Sequence, residues 1–262
     1  MSASALNVAR TGLEAQDSRM RVIANNLANV GTTGFKRDRA NFATLAYQDA
    51  RVAGQQSSGE TQYATGLNLG TGVAIQSTTR IATQGALDTT SNALDLAISG
   101  EGYFVVQMPN GQTAYTRAGN FTRSAEGQLV TAQGYVVQPP LTIPENSQSI
   151  TIGNDGTVSV TTQGNATPTQ IGQLTTAAFA NPAGLQAAGD NFLMETGASG
   201  PAQIAAAGTA GHGDIKQGML EASNVNVVQE LVDMIECQRA YEINSKMISA
   251  VDEMLKNANQ TL

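Results

Sequence analysis

"VIANNLANVGTTGFKRDRANF", residues 22–42, is the stretch that decides the fold, because a helical pattern ends there and the chain turns basic. Three asparagines lie within five positions of it: Asn25, Asn26 and Asn29. Asparagine is unfavourable inside a helix, since its amide competes for backbone groups, so the cluster indicates that these amides have other partners. Gly31 is predicted to take the left-handed conformation just past the helix, and "GTTG" to release the chain into a loop.

The residues before this stretch predict a long amphipathic helix. Apolar side chains recur every seven positions at Leu6, Leu13, Met20 and Leu27, beside a second row at Ala9, Gln16, Ile23 and Val30. A heptad repeat sustained in this way is typical of a coiled coil. We therefore expect a helix over residues 4–30, about 40 Å long.

The last forty residues predict a second long helix, over residues 224–258. Its apolar seam steps by three or four positions through Val227, Leu231, Met234, Gln238, Tyr241, Ser245, Ile248, Val251 and Leu255. Ser223 or Asn226 is placed to cap its first turn, and Asn226 with Gln229 resembles a capping box. Neither terminal helix can bury its seam alone, so both need neighbours.

The region between the helices follows the two-residue period of β-strands. Short apolar runs separated by "NG", "EG" and "QG" turns predict strands at Leu94–Ile98, Tyr103–Gln107, Thr113–Arg117, Gln128–Val130 and Tyr135–Gln138. "SITIGNDGTVSV" predicts a hairpin that turns at Asn154–Gly156. These patterns indicate a mainly-β domain inserted between the two helices.

The predicted fold class is α+β, in three parts. Residues 1–35 with 219–262 form a coiled-coil inner domain, residues 36–85 an extended arm with little core of its own, and residues 86–218 the β domain. The alternative is that both helices pack singly on the surface of the β domain.

Charge is unevenly distributed along the chain. Residues 1–42 hold six basic and three acidic side chains, residues 219–262 hold three and seven, and the part between holds five and eleven. The two ends therefore attract each other at short range. The net charge of -7 argues against nucleic acid as a partner.

Candidate catalytic and metal-binding residues are sparse. The single cysteine, Cys237, excludes an internal disulfide and is expected to be an inert filler, and the single histidine, His212, lies among loop glycines. We expect no enzymatic activity, no cofactor and no metal site. A glycan-binding or peptidoglycan-acting β domain is the remote alternative.

The sequence has no apolar run long enough to cross a membrane and begins without the apolar core of a signal peptide, which by itself predicts a cytosolic protein.

Both ends of the chain resemble the bacterial flagellar rod and hook family. "VIANNLANVGTTGFKRDRANF" is similar to its N-terminal signature and "SNVNVVQELVDMIECQRAYEINSKMISAVDEML" to its C-terminal one. "LDLAISGEGYFVV" and "ITIGNDGTVSV" look like its β domain, and "TGLEAQ" with "GQQSSGETQYATGLNLGTGV" resembles its distal-rod members most. Asn7, "LAYQ" at residues 45–48 and Cys237 depart from the usual pattern.

The resemblance implies a structural subunit that assembles with copies of itself into a helical tube around an export channel, in the rod of the basal body that spans the periplasm. The implied partners are proximal rod proteins, the hook protein, the periplasmic and outer-membrane rings, the flagellar type III export apparatus and a chaperone-like cap. Export without a cleaved signal peptide would reconcile the missing signal with that location. The alternative within the family is a proximal rod or hook protein.

The resemblance also proposes two sets of site residues. The first is an assembly interface: Leu6, Leu13, Met20, Asn25, Asn26, Leu27, Asn29, Val227, Leu231, Met234, Gln238, Tyr241, Ile248 and Leu255. The second is a rigidity arm within residues 46–72: Gly54, Gln55, Gln56, Ser57, Gly66, Leu67 and Leu69. In the first set, Asn25 and Asn29 lie one turn apart, where their amides are expected to specify register across a subunit contact.

Overall fold

The computed structural model describes residues 2–52, 54–56, 63–163, 167–209 and 211–260. The chain begins with helix α1 (Ser2–Ala28) and ends with helix α2 (Val227–Gln260), and the described strands all lie between them. The α+β prediction is confirmed. The chain divides into two compact units: unit 1 is Met1–Leu27, Asp38–Thr79 and Asn226–Leu262, and unit 2 is Ala28–Arg37 and Arg80–Val225.

Unit 1 combines the helices with two small antiparallel pairs of strands. Its strands are β1 (Asp38–Thr44), β2 (Tyr47–Arg51), β3 (Leu67–Gly70) and β4 (Val73–Arg80). β1 pairs with β4, and β2 pairs with β3 in a hairpin that sets Tyr47 opposite Gly70.

Helix α1 ends differently from the sequence prediction. Its last residue is Ala28, and a tight turn follows in which the Thr32 amide donates to the Asn29 carbonyl. The left-handed residue is Gly34, with φ +67°, so the prediction for Gly31 is wrong. Gly34 is needed there because a Cβ atom would lie 2.5 Å from the Arg117 carbonyl carbon.

Helix α2 begins at the predicted cap. The Asn226 side-chain oxygen accepts hydrogen bonds from the amides of Val228 (3.1 Å) and Gln229 (3.3 Å), which satisfies two free N–H groups of the first turn. The Gln229 amide donates to Asp233 one turn later rather than closing a capping box.

Unit 2 is built almost entirely of strands. They are β5 (Leu87–Thr89), β6 (Leu96–Ser99), β7 (Tyr103–Gln107), β8 (Thr113–Thr116), β9 (Thr122–Arg123), β10 (Leu129–Val130), β11 (Val136–Val137), β12 (Ser147–Ile152), β13 (Thr157–Thr162), β14 (Thr169–Gln173), β15 (Thr175–Ala178), β16 (Gln186–Gly189), β17 (Phe192–Met194), β18 (Gln203–Ala206), β19 (Asp214–Gln217) and β20 (Met219–Glu221). A single 3₁₀ turn, Pro182–Gly184, interrupts the described part of this series.

The largest sheet of unit 2 has nine strands, in the order β16-β17-β8-β7-β11-β10-β9, with β15 joining β7 and β18 joining β15. β12, β13 and β14 form a second sheet, and the pairs β6–β19 and β5–β20 join distant parts of the chain. The predicted strand Tyr103–Gln107 is reproduced residue for residue, and the hairpin predicted at Asn154–Gly156 joins β12 to β13.

The principal core lies in unit 2. Phe104 and Phe121 meet edge to face, with ring centroids 5.0 Å apart, and further fully buried side chains surround them: Leu96, Ile98, Leu174 and Ile215. Because burial of apolar area is the main driving force of folding, unit 2 holds most of the stability of the chain. In unit 1 most strand positions are partly or fully exposed.

Candidate assembly interface

In unit 1, α1 and α2 contact each other through polar groups. Arg19 Nη2 lies 3.6 Å from Asp233 Oδ1 and 3.9 Å from Glu236 Oε2, and the Cys237 thiol donates to the Gln16 carbonyl at 3.1 Å. The helices run antiparallel, since later residues of α1 meet earlier residues of α2. The opposite charges of the two chain ends thus meet in a direct ion pair.

The row of α2 that faces α1 differs from the predicted seam in the first half of the helix. The buried positions there are Glu230, at 1% exposed, and Cys237, at 0%, each one residue before a position of the predicted seam. In the second half Val251 is buried, Ile248 and Leu255 are partly buried, and Ser245 is exposed. Cys237 is buried as expected, and burial raises the pKa of its thiol.

Asn26 is the buried member of the asparagine cluster, at 1% exposed. Its side-chain oxygen accepts from the Asp38 amide at 2.9 Å, and its nitrogen donates to the Asp38 carbonyl at 2.9 Å and to Glu230 Oε2 at 3.2 Å. The side chain therefore ties α1 to both β1 and α2. Asn26 therefore has the hydrogen-bond partners that its position inside a helix led us to expect.

Helix α2 also carries an exposed apolar row on its far side. Val228, Val232 and Ile235 follow each other at helical spacing and are 71%, 45% and 50% exposed. Ile243, Met247 and Met254 continue the row and are also exposed. A row of this length on one helix face is unusual in a solitary soluble subunit and marks a surface for contact with another protein.

The predicted interface residues fall into three groups. Exposed are Asn25, Val227, Leu231, Gln238 and Tyr241; partly buried are Leu6, Leu13, Met20, Leu27, Asn29, Met234, Ile248 and Leu255; and Asn26 is buried within unit 1. Of these exposed residues, Val227 and Leu231 directly precede Val228 and Val232 on α2, whereas Asn25 lies on α1. The sequence did not predict Val232, Ile235 and Ile243, although their helical spacing was the available signal.

The described arm residues lie in strand β3, as Leu67 and Leu69 do, or in the segments next to β2 and β3. Gly54, Gln55, Gln56, Gly66, Leu67 and Leu69 are all exposed, and Ser57 lies outside the described residues. Backbone hydrogen bonds between Gly54 and Tyr63, and between Tyr63 and Gln55, extend the pairing beyond the two strands. Tyr47, Leu67 and Leu69 leave apolar surface uncovered, at 60%, 47% and 46% exposed.

His212 lies in an open groove of about 370 Å³ in unit 2, where its Nδ1 is 2.9 Å from Thr176 Oγ1. Among the residues that the structure describes, no three His, Cys, Asp or Glu side chains are grouped to hold a metal ion. Within the same residues, neither helix has an apolar stretch that could span a bilayer.

Three family models match successive parts of the chain. Residues 6–36 match "Flagella basal body rod protein", residues 97–160 match "Flagellar hook protein FlgE/F/G D1 domain", and residues 216–261 match "Flagellar basal body rod FlgEFG protein C-terminal". The two terminal matches include α1 and α2, and the central match begins in β6 and ends in β13.

Individual relatives are similar to the chain over nearly their whole length. The chain is 51% identical to the flagellar basal-body rod protein FlgG of Buchnera aphidicola, over 97% of each chain, and 48% identical to FlgG of Caulobacter vibrioides, over 98% of each. It is 36% identical to the flagellar basal-body rod protein FlgF of Caulobacter vibrioides, over 98% of each chain. These identities extend over nearly the whole chain, and the chain therefore belongs to the flagellar basal-body rod protein family.

Proposed function

We propose that the chain is a self-assembling structural subunit of the flagellar distal rod, the rigid shaft that transmits torque to the hook. The observation that carries this proposal is the exposed apolar row of α2, in a chain whose relatives are rod proteins. Covering that row requires a second protein, and identical copies are the simplest source. Heterologous contacts between copies that do not close into a ring generate a helical filament.

In this proposal α1 and α2 form the coiled-coil inner layer of a tube around an export channel. Val228, Val232 and Ile235 pack against helices of neighbouring subunits, together with the exposed and partly buried residues of the predicted interface. Burying about 1,000 Å² of apolar surface per subunit would contribute ~25 kcal/mol before the cost of ordering is subtracted. Asn25 and Asn29 specify the register between copies, and Asn26 fastens unit 1 within each copy.

The β2–β3 hairpin is proposed as the arm that makes the rod stiff. A two-stranded hairpin is marginal by itself, and its exposed Leu67 and Leu69 favour contact with a neighbour. Backbone hydrogen bonds from such an arm to the next subunit would resist the sliding that bending requires. The family-level partners are the proximal rod proteins, the hook protein, the ring proteins, the export apparatus and a cap, and the role requires no cofactor and no catalysis.

A distal-rod role like that proposed for FlgG is favoured over a role like that of FlgF by one comparison. Within a single organism, Caulobacter vibrioides, the chain is 48% identical to FlgG and 36% identical to FlgF over the same share of the chain.

The proposal is tested by electron microscopy of the purified protein at increasing concentration, with expression in a bacterium that lacks its own FlgG as the cellular test. Straight tubes and restored swimming are expected. A protein that stays dispersed at every concentration and leaves the cells without a rod beyond the proximal part would refute it.

A further inference from the structure

Glu221, the last residue of β20, is a buried carboxylate that gathers three other chain segments of unit 2. Its side chain is 0% exposed. Oε1 accepts hydrogen bonds from Lys36 Nζ and from the Gly85 amide, the latter at 2.9 Å, and the Glu221 carbonyl accepts from the Gly34 amide at 2.7 Å. Oε2 lies 3.4 Å from Arg117 Nη1.

Asn224, three residues later, also binds residues from the segments 34–37 and 81–85. Its Oδ1 accepts from the Arg37 amide at 2.7 Å. Its Nδ2 donates to the carbonyls of Ile81, at 2.9 Å, and Thr83, at 3.0 Å. Lys36 Nζ donates to the Thr83 carbonyl as well, at 2.7 Å, so residues 34–37 and 81–85 are bound to each other and to residues 221–224.

These are the segments through which the chain enters and leaves unit 2. The unit boundaries lie directly after Arg37, directly before Arg80 and directly after Val225. The backbone at Gly85 packs closely against the backbone at Ala222. A side chain at position 85 would not fit, because its Cβ atom would lie 2.0 Å from the Ala222 carbonyl oxygen.

The charges make Glu221 indispensable to this arrangement. Lys36 and Arg117 are 4% and 7% exposed and share this one buried carboxylate. Removing one member of a buried ionic group leaves the remaining charges without compensation, which is costly in a medium of low polarity. Burial already lowers the pKa of Lys36, and the Glu221 hydrogen bond opposes that shift.

We propose that residues 221–224 form a clamp that closes unit 2: the Glu221 carboxylate and the Asn224 amide hold residues 34–37 and 81–85 in place, and the clamp can open while strands β7 and β8 of the core stay folded. Because these polar contacts lie apart from the apolar core around Phe104, opening of the clamp is expected to be a local event, separate from loss of the core.

Amide hydrogen exchange on the whole chain tests the clamp. In Glu221→Gln, exchange at Gly34 and Gly85 is expected to accelerate by about tenfold or more, as loss of a charged hydrogen bond implies, while β7 and β8 keep their protection. Glu126→Gln, the same chemical change at an exposed position, is the matched control and is expected to alter neither region.

Asn224→Ala provides a second, milder variant, in which the Arg37 amide loses its acceptor. Faster exchange at Arg37 with unchanged β7 is the expected result, and it decides the case if Glu221→Gln does not fold. Equal acceleration in the clamp and in β7, or no acceleration at Arg37, would overturn the proposal, because the clamp would then be an inseparable part of the core or would hold nothing.

Discussion

Shortening Val232, Ile235 and Ile243 to alanine is expected to raise the concentration needed for assembly without weakening the subunit. The three side chains are 45%, 50% and 60% exposed in the single chain. Complete burial of a Val or Ile side chain stabilises by about 2 kcal/mol, so the exposed halves contribute ~1 kcal/mol each when a neighbour covers them. Alanine also favours helix more than Val or Ile does, so α2 itself is not weakened.

The three changes together remove about 3 kcal/mol per subunit contact, which corresponds to a roughly 100-fold higher critical concentration. Sedimentation of the wild-type and triple-variant proteins over a concentration series measures this value. Ile243→Ala and Ile204→Ala form a matched pair, because Ile204 lies on β18 with a similar exposure of 56%. A triple variant that assembles at the wild-type concentration, or an equal effect of both single variants, would refute the assignment of this row.

Deleting residues 54–69 is expected to produce a more bendable filament with the same core, because the β2–β3 hairpin would no longer reach a neighbour. The persistence length of filaments in electron micrographs measures the change, and filaments as stiff as wild type would contradict a stiffening role. Asn26→Ala is expected to lower the free energy of unfolding of unit 1 by about 3 kcal/mol, one for each lost hydrogen bond, whereas Asn7→Ala at an exposed position of the same helix changes it little in urea denaturation. Gly34→Ala is expected to cost about 2 kcal/mol or more through its left-handed backbone and the clash of its Cβ atom with the backbone of Arg117 and Ala118; Gly31→Ala, with open space around it, is the control. Since burial lowers the pKa of Lys36 below its ordinary value of 10.5, the folded chain binds fewer protons than the unfolded chain between the two pKa values. The free energy of unfolding of wild type relative to Lys36→Met should therefore rise as the pH is raised through that interval, and a difference that stays constant or falls would show that the pKa is not lowered.

The elements that could be predicted from the sequence are those fixed by local patterns. The heptad rows marked both helices, Asn226 marked the start of α2, and "NDG" marked the β12–β13 hairpin, because each signal depends on residues close together in the chain. The exact contacts of α2 could not be predicted, since the row that faces α1 contains Glu230 and Cys237 in place of apolar residues. Periodicity locates only the apolar side chains, and most of those on α2 lie on its exposed side.

The clamp was beyond sequence reasoning for a different reason. Lys36 and Glu221 are separated by 185 positions, and nothing local distinguishes either from a solvated surface charge. Only the antiparallel pairing of β20 with β5 brings the carboxylate to Gly85. The short strands β14 to β20 were missed as well, because runs of three to five residues are too short to carry a clear periodic signal.

The polar pairing of α1 with α2 makes unit 1 respond to its ionic surroundings in two opposed ways. Arg19, Asp233 and Glu236 hold the helices together by charge, which dissolved salt screens. The outward Val and Ile side chains of α2 associate more strongly in sulfate or phosphate, which are excluded from protein surfaces. Concentrated sulfate would thus weaken these ion pairs within each subunit while strengthening the attachment of that subunit to others.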